Sequence, residues 1–200
     1  KHGERAHPVN CRCERDGLDR AFSIARRAVA GRGGTLQVLS GLHLELKGNR
    51  LTVVGSDLDL VVRVVVEVGG EKDGSVVLSA QLGSDIVRAF DSGQVEVTVD
   101  DDGASVVSGR SNFSLRVMSS EEYPKFDEPS GESVTLDAGS VADALDQVIK
   151  AASLDDARQI LTGVLMAAEE DGLRFVATDS YRLAVRDLPG TAVLGRDQTV

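Results

Sequence analysis

The run Thr178-Asp179-Ser180-Tyr181-Arg182 sets two hydroxyls, a carboxylate, a phenol and a guanidinium side by side, the side chains from which a hydrolytic or small-ligand site is built. A Ser-His-Asp system on Ser180 and Asp179 would need His43 as its base, and no feature of the sequence brings that distant residue near. Asp57-Leu58-Asp59 invites a metal pair, and His2, His7, Cys11 and Cys13 offer soft zinc ligands whose spacing fits no standard zinc pattern. Gly31-Arg32-Gly33-Gly34 is too short for a phosphate-cradling loop and leads into no helix N-terminus. The expectation is no catalytic residue, no metal and no cofactor. The Thr178 to Arg182 turn stays open as a polar ligand or enzymatic site in a chain of another class.

The elements around that turn repeat. Val176 to Val185 reads as a strand, a bend at Thr-Asp-Ser and a strand leaving in a new direction, and Leu51 to Val61 has the same shape. A shift of 122 residues lays Ser56-Asp57 on Thr178-Asp179, Leu39-Ser40-Gly41 on Leu161-Thr162-Gly163 and Leu51 on Leu173. A shift of 123 lays Leu18, Ala21, Phe22 and Ala25 on Val141, Ala144, Leu145 and Val148. A period of that length marks a duplicated domain and not a solenoid. The second copy reaches Val200 well short of a full repeat, so a fragment of a longer chain is expected.

Composition frames what such a scaffold can do. Of the 200 residues 42% are apolar and 27% charged, with no Trp, so the cores must be built from Val, Leu, Ile and Ala. No apolar run nears the ~20 residues of a membrane span, and residues 1 to 10 lack the hydrophobic region of a signal peptide. A cytoplasmic, nucleoid-associated protein with no membrane partner is expected. Cys11 and Cys13 are read as facing opposite sides of a strand, unable to bridge, in keeping with a reducing compartment. The net charge of −10 argues against nucleic acid, yet residues 15 to 32 hold Arg15, Arg20, Arg26, Arg27 and Arg32 against Asp16 and Asp19.

In order, residues 1–9 read as a loose tail, 10–118 as a first domain, 119–131 as a Pro-containing acidic linker and 132–200 as a second, truncated domain. Residues 10–15 predict a strand, and Asp16 is placed as N-cap of a helix to about Ala30 whose apolar face is Leu18, Phe22, Ala25 and Val29, with Arg20 and Arg27 opposite. Strands are predicted over Leu42 to Leu46, Leu51 to Val54 and Leu60 to Val68, then a polar loop from Gly69 to Gly74 and a strand Ser75 to Leu78. Ser79 should cap a helix to Phe90 that buries Leu82, Ile86 and Ala89, followed by strands Val95 to Val99, Ala104 to Ser108 and Asn112 to Val117. The second domain should repeat this with a strand Val134 to Leu136, a helix from about Gly139 to Ala152 and strands Leu161 to Ala167, Leu173 to Thr178 and Tyr181 to Asp187. The fold class is α+β, with repeated β-α-β-β-β units.

Three stretches carry a family resemblance: Gly55-Ser-Asp-Leu-Asp-Leu60; Ser108-Gly-Arg-Ser-Asn-Phe-Ser-Leu115 with Tyr123-Pro124; and Leu161-Thr-Gly163 with Val176-Ala-Thr-Asp-Ser-Tyr-Arg-Leu-Ala-Val185. They resemble, in family order, the bacterial DNA sliding clamp, the β subunit of DNA polymerase III. The resemblance implies the DNA-clamp fold, with helices on one face of antiparallel sheets, and a non-catalytic processivity factor. In that family two three-domain subunits join head to tail as a ring around double-stranded DNA without reading its sequence. The ring tethers the replicative polymerase, clamp loader and repair proteins through a short linear peptide. By resemblance Arg20, Arg27, Arg32 and Lys150 would face DNA, and Leu161, Thr178, Ser180, Tyr181, Arg182 and Leu183 would form half of the peptide groove. Leu82, Ile86 and Arg110 would lie at the subunit interface of a homodimer. A clamp-like paralogue that closes no ring is the milder alternative.

Overall fold

The computed structural model describes residues 8–29, 36–100, 103–127, 135–169, 172–190 and 198–199. The chain divides into two compact units, residues 1–128 and 129–200.

In the first unit β1 (Val9–Glu14) buries Val9, Cys11 and Cys13 and exposes Arg12 and Glu14. This corrects the expectation that the cysteines face opposite sides: residues two apart on a strand share a face. Burial pushes the Cys11 thiol up to about 12 and the Cys13 thiol up to about 11, which makes both inert core residues. His2 and His7, the other half of the zinc candidate, lie outside the described residues.

α1 (Arg15–Ala25) starts earlier than expected, with Glu14 at the N-cap position and Asp16 in the first turn, where a carboxylate favours the helix dipole. It tightens into a 3₁₀ turn through Ala28. The remaining elements of this unit are β2 (Gly41–Lys47), β3 (Arg50–Ser56), β4 (Val61–Glu67), β5 (Gly69–Lys72), β6 (Gly74–Ser79), α2 (Ala80–Ala89), β7 (Gln94–Asp100), β8 (Gly103–Ser108), β9 (Ser111–Leu115) and β10 (Val117–Met118). They form two antiparallel sheets, ordered β5-β1-β7-β8-β9 and β10-β6-β2-β3-β4.

Two expectations change here. The polar loop predicted from Gly69 to Gly74 contains β5, whose backbone pairs with β1 at a sheet edge, where one face needs no apolar side chains. The strand predicted from Asn112 to Val117 breaks at Arg116, so that β9 completes one sheet while β10 pairs with β6 in the other. The inner repeat is β1-α1-β2-β3-β4 followed by β6-α2-β7-β8-β9. Each copy lends its first strand to the other's sheet, β1 beside β7 and β6 beside β2.

Both helices share one core with the inner faces of these sheets, among them Leu18, Phe22, Leu44, Leu51, Val76 and Val97. α2 is rotated from its predicted orientation: Ala80, Gly83, Ser84 and Val87 face inward, Ile86 is half-buried, Ala89 is exposed and Leu82 is 55% exposed. The reason is steric. A Cβ at Gly83 would stand 3.2 Å from Phe22 Cε2, so small residues let the helices close where larger ones would hold them apart. Gly55 serves a still closer approach, since a Cβ there would meet the Ala25 carbonyl.

The stretch that reads as linker is, through Asp127, folded onto this unit. Tyr123 is buried with Val38, Leu39, Val54 and Val77 on the sheet face turned away from the helices, and its ring stacks on His43 at a centroid distance of 5.0 Å.

In the second unit Asp137 caps α3 (Ala138–Val148), accepting from Ser140 N and Ser140 Oγ, each at 2.8 Å. These bonds to the ionised form hold its carboxyl below the usual carboxylate range. Thr135 and Leu136, predicted in a strand, belong to none, although Leu136 packs against the core; Val134 lies outside the described residues. β11 (Leu165–Glu169), β12 (Gly172–Thr178), β13 (Leu183–Pro189) and β14 (Gln198–Thr199) form one sheet ordered β13-β12-β11-β14. Its core is Ala144, Val148, Val164, Leu173, Phe175 and Ala177. Leu161, expected to open a strand, instead ends the 3₁₀ stretch Asp156–Leu161, and its carbonyl accepts from Ser153 N at 2.8 Å.

Candidate functional site

The two bends predicted from the repeat share one hydrogen-bond design. Ser56 Oγ accepts from Leu58 N at 3.0 Å, and Asp57 Oδ1 accepts from Asp59 N at 3.1 Å and Leu60 N at 2.8 Å. At the same offset of 122, Thr178 Oγ1 accepts from Ser180 N at 3.1 Å, and Asp179 Oδ1 accepts from Tyr181 N and Arg182 N, each at 2.9 Å. The central residues have matching left-handed backbone, Leu58 at φ 86 and Ser180 at φ 78. A short polar side chain that satisfies the turn's own N–H groups is what makes this conformation tolerable.

The second bend adds cations. Arg182 Nε donates to Asp179 Oδ2 at 3.0 Å, while Arg158 Nη1 reaches the Asp179 carbonyl at 3.3 Å and Ser180 Oγ at 3.2 Å. The backbone N–H groups of Arg182 and Tyr181 lead in holding the Asp179 carboxyl below its ordinary range. Such a carboxylate is a fixed acceptor and a poor proton carrier, and His43 is engaged with Tyr123 in the first unit. Tyr181 at 93%, Ile160 at 80% and Leu183 at 66% exposure stand out around the turn, with Leu161 half-buried beside Ile160 in the chain. Exposed apolar side chains with Arg158 and Arg182 at the turn are the chemistry on which a peptide can sit. Sequence reasoning missed Arg158. Its placement depends on a non-helical break at that residue within the 3₁₀ stretch (φ −117, ψ 59), which no periodicity announces.

The structure sorts the arginines of the first helix. Arg15 donates to the carbonyls of Val87 at 3.2 Å and Arg88 at 2.7 Å, capping the C-terminal end of α2 with a cation. Arg26 bonds Gln81 and pairs with Asp85 at 3.8 Å. Arg20 and Arg27 are exposed, and among the described residues neither has an ion-pair partner. Arg32 lies outside the described residues. Lys150 is exposed in the 3₁₀ turn after α3 and pairs with Asp146 at 3.1 Å.

Leu82 is outward on α2 and Ile86 is half-buried against the core. Arg110 sits in the exposed β8–β9 turn beside the sheet-edge strand β9, where Phe113 is 41% exposed.

A domain made of two βαβββ copies that exchange their first strands, with two helices backed by two antiparallel sheets, is a clamp-type α+β domain. Residues 9–127 match the family model for the DNA polymerase III beta subunit, N-terminal domain, and residues 135–200 match the model for its central domain; the chain belongs to this family. It is 37% identical over 179 residues to the beta sliding clamp of Streptomyces coelicolor, covering 90% of this chain and 47% of that one. To the beta sliding clamp of Micrococcus luteus it is 36% identical, covering 89% and 57%. The crystal structure of the Bacillus subtilis DNA polymerase sliding clamp superposes with a TM-score of 0.85 at 26% identity, over 96% of this chain and 53% of that one. The chain thus spans about half the length of the relatives it matches. Among the described residues no helix is long and apolar enough to cross a membrane.

Proposed function

We propose that this chain is the N-terminal and central part of a processivity clamp. Two subunits close head to tail around duplex DNA, and the ring holds the replicative polymerase, clamp loader and repair proteins near the template without catalysing a reaction itself. The site of action is the cytoplasm, at the nucleoid. The observation that carries the reading is the division of labour among the arginines. Arg15 and Arg26 are used within the fold, while Arg20 on α1 and Arg27 in the 3₁₀ turn that follows it are exposed, with no ion-pair partner among the described residues. Cations of that kind meet phosphates at any sequence, which a sliding contact requires. Arg32 and Lys150 are proposed as further DNA-facing cations, Lys150 after release from Asp146.

Duplex binding at low salt tests this. The wild-type chain should bind weakly, with no sequence preference, and lose affinity as salt rises. Arg20→Glu with Arg27→Glu should weaken binding further and flatten the salt dependence. A sequence-selective, salt-insensitive footprint would overturn the proposal.

The turn Thr178 to Leu183, with Leu161, is proposed as half of the groove for the partners' linear peptide. Leu183 and Leu161 would supply apolar floor, and Arg182, oriented by Asp179, would meet the peptide's polar end. Leu82, Ile86 and Arg110, with the β9 edge, are proposed as the surface that meets a partner subunit in the homodimer.

A further inference from the structure

We propose that the outer face of the β2–β3–β4 sheet in the first unit is a second docking site, one that takes an extended acidic segment of another protein. It is separate from the groove proposed at Thr178 to Leu183. Strand periodicity makes the face. Leu44, Leu51, Val53 and Val64 point to the helices, so His43, Lys47, Arg50, Thr52 and Val65 must point away from them. The strap that carries Tyr123 and Phe126 covers one end, with Phe126 set edge-on to Tyr123 at 6.2 Å. What remains open is a cleft of about 660 Å³, the size of an ordinary ligand site.

The charge of the cleft runs against that of the chain. Its walls carry Lys47, Arg50, Arg63 and Lys125 against Glu45 and Glu121, in a protein whose net charge is −10. Glu45 lies 2.7 Å from Lys47, and Arg63 Nη2 donates to the Phe126 carbonyl at 3.4 Å. Arg50 and Lys125 are exposed, with no ion-pair partner among the described residues.

Register fixes the spacing. Arg63 stands opposite Val54 and Val65 opposite Thr52, so Arg50 and Arg63 are four β3 positions apart. At ~3.3 Å per residue that is about 13 Å. Between them lie Thr52 and Val65, the latter 44% exposed. An extended chain with acidic residues four positions apart and an apolar residue midway matches both ends and the middle. Single-stranded nucleic acid fits less well, because Tyr123 is 5% exposed and its ring is stacked on His43, so that ring offers no open face to a base.

The test is a fluorescence-anisotropy titration of the 200-residue chain with a labelled peptide containing Glu-Ala-Leu-Ala-Glu. Saturable, salt-sensitive binding is expected, lost when the probe is Gln-Ala-Leu-Ala-Gln and reduced for Glu-Ala-Ser-Ala-Glu. Arg50→Glu and Lys125→Glu should each weaken it by about tenfold or more, as truncation or reversal of an interfacial charge does, while Arg182→Ala should leave it unchanged. Both charge reversals are at exposed positions, and an unaltered thermal melt will show that the fold is intact. No saturable binding, equal binding of the Gln probe, or indifference to both reversals overturns the proposal. So does a short oligothymidylate that binds more tightly than the acidic peptide and responds to Arg50→Glu.

Discussion

Asp179 fixes the turn proposed for the peptide groove by accepting two backbone N–H groups and the Arg182 guanidinium at once. Its folded pKa is depressed, so its stabilising effect is present above the ordinary carboxylate range and is lost as pH falls through the depressed value. Asp137 at the α3 N-cap and Asp187, bonded by Arg174, act in the same direction. The second unit should therefore lose stability on acidification below about pH 4, where free Asp titrates. Circular-dichroism melts between neutral and acid pH should show a smaller acid loss in Asp179→Asn, which already lacks the charge. Amide exchange at Tyr181 and Arg182 should be faster in that variant at every pH. His43 has a depressed pKa, because burial disfavours the imidazolium more than Glu45 favours it. The unfolded chain takes up that proton first, so this part of the stability is complete above pH 6.5, the ordinary His value, and declines below it. His43→Phe should keep the stack on Tyr123 and abolish that step, as melting temperatures at pH 7.5 and 5 will show.

At the level of elements, the contact between α1 and α2 decides which side chains are core and which are surface. Gly83→Val would drive a branched side chain into Phe22 and should destabilise the first unit by about 1–3 kcal/mol in urea unfolding. Leu82→Ala, one residue away, should change stability by less than about 0.5 kcal/mol, because Leu82 is more exposed than buried. The pair separates the observed helix rotation from the one that simple apolar periodicity implies. A large loss from Leu82→Ala with none from Gly83→Val would contradict it. Leu82 is then exposed, as the proposed partner-subunit surface requires. A sheet edge such as β9, bearing a 41% exposed Phe113, also favours addition of a further strand.

For the whole molecule, the proposed peptide groove lies in the second unit, while Arg20, Arg27, the proposed partner-subunit surface and the β2–β3–β4 cleft lie in the first. The 200 residues span about half the length of the relatives they match and should by themselves remain monomeric or associate weakly in sedimentation; a tight, concentration-independent dimer would contradict an interface completed by the part of the relatives that they do not span. Extended to the length of its relatives, this sequence should bind a labelled Gln-Leu-Ser-Leu-Phe peptide better than the 200 residues do alone. In that full-length form Arg182→Ala and Leu183→Ala should each weaken it by about tenfold, the loss typical of an anchor residue. Unchanged affinity in both variants would remove the groove from Thr178 to Leu183.

The sequence by itself determined the duplication, the α+β class and the two bends, because these rest on local chemistry. Ser56-Asp57 and Thr178-Asp179 satisfy the turn's own amides wherever the chain goes, and the alternation from Leu42 to Leu46 sets a buried face without reference to a partner. Tertiary structure alone decided what depends on which surfaces meet. Local pattern could not show that β1 and β6 exchange sheets, that Asn112 to Val117 splits between two of them, or that Gly83 and not Leu82 faces Phe22. It equally could not divide Arg15, Arg20, Arg26 and Arg27 into the two that cap or pair within the fold and the two that stay exposed. An arginine's partners are set by the elements packed against it, and strand pairing and helix contact join residues far apart in the chain, beyond the reach of propensity or periodicity.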